Sequence, residues 1–169
     1  MSAQTTMIVD GYNVIHRVPR FCGLMDTSLE SARKALLQYC AEWITMRNDV
    51  WQFCVVFDGD SSVADSYGQT ARGVRALYSR GKEAADDKIL AIIGQRGKSC
   101  RYVVVTDDNR VLAGAKERNA ETMSSLVFAS VLGQQRRGMR GDMSGRDKEL
   151  SPRVRKAIND ELKKVWGIE

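Results

Sequence analysis

The residues of this chain best suited to chemistry are aspartates, and they recur in four short motifs. These are Asp10-Gly11-Tyr12-Asn13, Phe57-Asp58-Gly59-Asp60, Ala84-Ala85-Asp86-Asp87 and Thr106-Asp107-Asp108. Carboxylates gathered in one place repel one another and stay ionised together only beside a cation. An all-oxygen ligand set selects hard ions, Mg2+ or Mn2+. Such ions serve phosphoryl transfer by activating water and stabilising the leaving oxygen. Each motif also has a plainer reading. Asp10-Gly11 and Asp58-Gly59 suit turns, Asp86 and Asp87 suit any helix start, and Asp107 or Asp108 suits an N-cap. The four together, each just past a strand or opening a helix, favour a shared site. His16 is the single histidine and a candidate acid or base, although a two-metal site needs none. Cys22, Cys40, Cys54 and Cys100 form no C-x-x-C pair. With so little histidine they argue against zinc and read as reduced, mostly buried thiols of a cytoplasmic protein.

The elements that must position these acids follow from hydrophobic patterning. Met7–Val9, Trp51–Phe57 and Tyr102–Val105 are short apolar runs ending in Asp10, Asp58 and Thr106-Asp107-Asp108, and Val74–Tyr78 is a weaker strand. Continuous apolar runs bounded by turn residues are the signature of buried parallel strands. Between them, Leu29, Ala32, Leu36, Cys40, Trp43 and Arg47 recur at helical spacing, with Thr27 and Glu30 as a capping box. Ala85, Ile89, Ile92 and Ile93 form one face of a second helix that Gly94 or Gly97 ends. Val111, Leu112 and Ala115 mark a third, opening at Asp107 or Asp108, and Ser124–Leu132 a fourth. Strand–helix alternation of this kind predicts a three-layer α/β/α fold around a mainly parallel sheet. Ligands of such sheets bind beyond the carboxyl ends of the strands, which gathers the acids on one rim. At about 100° per residue, the apolar face of the second helix lies some 70° from Asp86 and about 170° from Asp87, so Asp86 ranks first.

Charge divides the chain. Residues 1–133 carry 16 basic and 15 acidic residues, and residues 134–169 carry 10 and 6. A nearly neutral domain over 1–133 is therefore expected, then a basic flexible linker over 134–150. An amphipathic helix over 151–169 follows, with Pro152 in its first turn and Val154, Ile158, Leu162 and Val165 on one face. A basic tail suits a polyanion, nucleic acid first. Arg72, Arg75, Arg80 and Lys82 precede the acidic helix, and with Arg136, Arg137 and Arg140 would form a basic flank that binds phosphates without reading sequence. Tyr12 is placed either to stack a base or to pack. No apolar run approaches the roughly 18 residues of a membrane span, and Met1–Thr6 lacks the features of a secretory signal.

The motifs D10-G11-Y12-N13-V14-I15, V55-V56-F57-D58-G59, G81-K82-E83-A84-A85-D86-D87-K88-I89 and V104-V105-T106-D107-D108, in that order, resemble the YacP-like branch of the NYN domains, relatives of the PIN nucleases. The similarity spans roughly Met7 to Leu132. It implies a PIN-like fold and a metal-dependent endoribonuclease using Mg2+ or Mn2+. The expected substrate is single-stranded cellular RNA, messenger or ribosome-associated, with the ribosome as a candidate partner. By position, the resemblance makes Asp10, Asp58, Asp86 and Asp108 metal ligands, with Asp87 and Asp107 beside them, and gives Asn13 a supporting or substrate-orienting role. Ala84 stands where the family often has threonine, and Asp107 where it often has serine, which leaves open whether Asp107 or Asp108 faces the metal.

Three other readings compete. An inert RNA-binding module would keep the fold without the chemistry. A haloacid-dehalogenase-like phosphohydrolase would use Asp58 of the D-x-D as nucleophile, although there the D-x-D normally ends the first strand. A Rossmann nucleotide-binding domain lacks its G-x-G-x-x-G after the first strand.

Overall fold

The computed structural model describes residues 4–59, 73–80, 84–95, 100–139 and 152–166, with the side chains of 134–139, 154, 155, 162 and 164–166 left aside. Five strands, β1 (Gln4–Asp10), β2 (Val50–Phe57), β3 (Val74–Tyr78), β4 (Cys100–Val105) and β5 (Glu121–Met123), form one sheet in the order β3-β2-β1-β4-β5. Every pairing is parallel. The helices are α1 (Gly11–Arg17), α2 (Pro19–Met25), α3 (Leu29–Ile44), α4 (Ala85–Gly94), α5 (Asn109–Glu117), α6 (Ser125–Met139) and α7 (Pro152–Trp166).

The strands are apolar throughout because both sheet faces are covered. Successive side chains alternate between faces. Met7, Val9, Phe53, Val55, Phe57, Val103 and Val105 share one core with Leu36, Trp43 and Phe128, while Ile8, Val56 and Val104 share the other with Ile89, Ile93, Val111 and Ala115. Asp10 continues the even-numbered set of β1, so it faces the α4/α5 side. The same parity carries Asp58 past β2 and Thr106 past β4 toward that side. β1 is central, and the chain leaves it toward β2 and β3 before crossing to β4 and β5. The crevice beyond the ends of β1 and β4 is therefore the topological switch point, where open α/β sheets bind ligands.

Several local expectations change. The Asp10-Gly11 pair is no turn: α1 starts directly after β1, with Asp10 as its N-cap residue. A Cβ on Gly11 would run into the fully buried Phe57 ring, so close approach demands glycine there. The cap of α3 is Ser28, whose hydroxyl accepts from the Ser31 N–H at 3.0 Å, and not Thr27. α6 continues to Met139, beyond the expected linker boundary at 134. Gln134–Arg137 are good helix formers, and Gly133 and Gly138 each cost only about 1 kcal/mol against alanine. The rest of the expected linker, 140–150, lies outside the described residues. α7 is present from Pro152, and Ile158 is buried in the main core. Among the described residues, no helix is long and apolar enough to cross a membrane.

Candidate active site

Asp10 ends β1 at 7% exposure, buried for a charged group. Its Oδ2 accepts from the Thr106 hydroxyl at 2.9 Å, and the Thr106 oxygen in turn accepts from the Asp108 N–H at 3.1 Å. The nearby Asn13 backbone amide also favours the ionised Asp10 carboxylate, although Asp10 makes no side-chain cap hydrogen bond to α1. This short chain of bonds joins the ends of β1 and β4 across the switch point. Burial pushes Asp10 from the usual carboxylate range up to about 6, with repulsion from Asp86 and Asp108 adding to it and the Thr106 bond opposing it. Asp86 is also raised, by burial and then by Asp108, with Asp58 and Asp87 adding and Arg110 opposing. Asp10, Asp86 and Asp108 thus share one rim electrostatically, with Asp58 acting on Asp86.

Their oxygens are also engaged in holding the fold. Asp58 Oδ1 accepts from the Ala85 N–H at 2.6 Å and from the Ser79 hydroxyl at 3.0 Å, tying the ends of β2 and β3 to the start of α4. It satisfies a first-turn N–H of that helix, which Ala84 does not cap. Asp108 is the N-cap of α5, its Oδ1 accepting from the Arg110 and Val111 N–H groups. Asp107 turns the other way, accepting from the Ser125 N–H at 3.2 Å at the start of α6. Asp108, and not Asp107, is the one coupled to Asp10 and Asp86. Asp86 is 26% exposed and Asp87 48%, the order that helix phase predicts. Asp87 pairs with Arg110.

The carboxylates do not close around a point. Among the described residues, no three of Asp, Glu, His and Cys are arranged to hold a metal ion. The hydrogen bonds of Asp58 and Asp108 to helix starts explain this: each turns an oxygen toward backbone. The donor set nonetheless fits a hard cation in kind, since it is all oxygen and mutual repulsion adds to the burial that raises Asp10 and Asp86.

Asn13 is a positioning residue. Its Oδ1 accepts from the Asp107 N–H at 2.9 Å and from the Ser125 hydroxyl at 3.2 Å, locking α1 to the β4–α5 turn and to α6. Tyr12 packs its ring on Phe57 with centroids 5.2 Å apart, and its hydroxyl accepts from Arg33 at 3.0 Å. His16 is exposed in the last turn of α1. Arg75 and Arg80 are exposed on and just after β3. Arg72, Lys82 and Arg140 lie outside the described residues, as do the side chains of Arg136 and Arg137. The supporting hydroxyls of Ser79 and Ser125 and the Arg33–Tyr12 bond had no sequence signal, because their partners are distant in the chain.

The family model of the YacP-like NYN domain matches residues 7–167. The chain belongs to that family. The match takes in this NYN domain's basic segment and α7, well past Leu132. A curated relative, the uncharacterized protein YacP of Bacillus subtilis, is 32% identical over 83 residues, 49% of this chain and 48% of that protein. The matched stretch thus spans about half the length of that relative. Two crystal structures of Rae1 (YacP) from Bacillus subtilis, one of a mutant form, superpose at TM-scores of 0.68 and 0.69 with 23% identity, covering 95% and 96% of this chain and 91% and 87% of theirs. That likeness establishes the fold, a parallel five-stranded sheet between helices. The YacP-like NYN domain is of the PIN-like nuclease type.

Proposed function

We propose that the protein is a metal-dependent endoribonuclease that hydrolyses single-stranded cellular RNA in the cytoplasm. The observation that supports this most is Asp10. It is a buried carboxylate at the switch point of a PIN-like sheet, pushed up to about 6 by burial and by two neighbouring acids. A buried charge next to like charges is costly, and such arrangements cluster at functional sites. Asp10, Asp86 and Asp108, with Asp58 at the edge, would hold Mg2+ or Mn2+. Such an ion supplies a lowered water pKa and neutralises charge on a phosphate.

The chain's own groups set the stage. Thr106 fixes the Asp10 carboxylate and the Asp108 backbone at once. Asn13 fixes the β4–α5 turn that carries Asp108. Asp58 fixes the start of α4, and so Asp86. Direct water attack would leave 5′-phosphate and 3′-hydroxyl ends. The phosphohydrolase reading is disfavoured, since Asp58 follows β2, the second strand, whereas the D-x-D of that reading normally ends the first.

The test is incubation of purified protein with labelled RNA and DNA, in Mg2+, Mn2+ or chelator, with the product ends identified. Metal-requiring cleavage of RNA with 5′-phosphate ends is expected. Cleavage in chelator with 2′,3′-cyclic phosphate ends would make the 2′-hydroxyl the nucleophile and overturn the mechanism. RNA binding without cleavage in any metal would favour the inert module.

A further inference from the structure

α4 and α5 meet closely at Gly114. A Cβ there would lie 2.6 Å from Leu90 Cδ2, so glycine lets the two helices approach. Four residues toward each N-terminus, one helical turn up, stand Asp86 on α4 and Arg110 on α5. Arg110 Nη2 donates to Asp87 Oδ1 at 2.5 Å, and its Nη1 lies 3.7 Å from Asp86 Oδ2. The Arg110 side chain is still 61% exposed. It follows Asp108 by two residues, in the first turn of the helix that Asp108 caps.

A phosphodiester chain approaching this rim meets Asp10, Asp58, Asp86, Asp87 and Asp108, all of its own sign. Among the described residues, Arg110 forms ion pairs with members of that acidic group. An exposed arginine–aspartate pair adds little to stability, so its guanidinium exchanges partners at small cost. Its planar fork matches phosphate oxygens better than a lysine would. We infer that Arg110 grips a backbone phosphate of the RNA beside the acidic site, and that Asp87 is the positioning residue that holds the guanidinium over the rim. The inference rests on the nuclease reading for the identity of the polyanion, and it gives Asp87 a task other than binding metal.

The experiment compares Arg110→Ala and Arg110→Lys by steady-state cleavage of a labelled single-stranded RNA in Mn2+. In parallel, the same RNA is bound at several salt concentrations by proteins that also carry Asp10→Asn. Arg110→Ala should raise KM about tenfold with kcat within about twofold, the loss of one charge-assisted contact. It should also flatten the plot of log affinity against log salt by about 0.7, one phosphate on a single strand. Arg110→Lys should restore that slope and only part of the affinity. An unchanged KM and slope in Arg110→Ala overturns the inference while leaving the nuclease reading intact. A lower Tm with an unchanged slope overturns it too, making the residue a brace. Wild-type protein that binds RNA without cleaving it defeats the nuclease reading, and the slope still decides Arg110. Wild-type protein that does not bind RNA defeats both.

Discussion

Asp10 is where stability and proposed function oppose each other. Its folded pKa of about 6 lies above the ordinary value of 3.8. The folded state therefore holds the proton more tightly than the unfolded chain does. Between about pH 4 and pH 6, stability falls as pH rises, and above that window the full penalty of the ionised group is present. A shift of this size corresponds to up to about 3 kcal/mol. In chelator, Asp10→Asn should thus stabilise the protein by about 1–3 kcal/mol at pH 8 and make little difference at pH 4, in urea melts at each pH. The same variant should abolish cleavage, since it removes the proposed ligand's charge while keeping an acceptor for Thr106. A stability difference independent of pH would show that Asp10 carries no such penalty. Divalent metal should raise the Tm of wild type but not of this variant. Much of this residue was legible beforehand: the apolar run Met7–Val9 ends in Asp10, and ligands of parallel sheets bind beyond the carboxyl ends of the strands. The resemblance also gave Asn13 a supporting role, but not its partner Ser125, because their bond spans 112 residues of sequence, and no local pattern encodes such a contact.

At the scale of elements, what was readable is what local chemistry decides. The apolar runs marked three central strands, and a helix's need to satisfy its first N–H groups put a cap at Asp107 or Asp108, of which the structure uses Asp108. α1 was hidden because Asp-Gly reads as a turn pair, whereas Gly11 answers to Phe57, a residue of another strand. β5 was hidden by its length of 3 residues. It is held by parallel pairing to β4 and by the Arg101–Glu121 pair, whose second bond is 2.6 Å. The start of α3 was misplaced by one residue, since Thr27 and Ser28 are both good caps and only the backbone chooses. This yields a direct check. Ser28→Ala should cost about 1 kcal/mol, while Thr27→Ala should stay within about 0.5 kcal/mol, by denaturant unfolding. Equal losses would mean the cap is shared.

At the scale of the whole molecule, the carboxyl-terminal helix is part of the domain and reaches toward the site. Ser124 caps α6 through its hydroxyl, 3.3 Å from the Val127 N–H, and Glu161 of α7 accepts from the Ser124 N–H at 2.9 Å. In a capping box that second bond comes from the helix's own third residue; here another helix supplies it. The next residue, Ser125, holds Asp107 and Asn13, so α7 braces the turn that presents Asp108. Removing residues 134–169 would therefore confound charge with folding, and two narrower changes separate them. Ile158→Ala empties a core position that is 4% exposed and should cost about 2–5 kcal/mol, a Tm drop of several degrees, with no change in the salt slope of RNA binding. Replacing Arg136, Arg137 and Arg140 by Gln exchanges one good helix former for another and should leave Tm within a degree or two. It should flatten the salt slope by about 0.7 for each arginine that meets a phosphate. A triple variant with wild-type slope would place the RNA path away from α6, leaving Arg75, Arg80 and Arg110 to carry the backbone past the acidic rim.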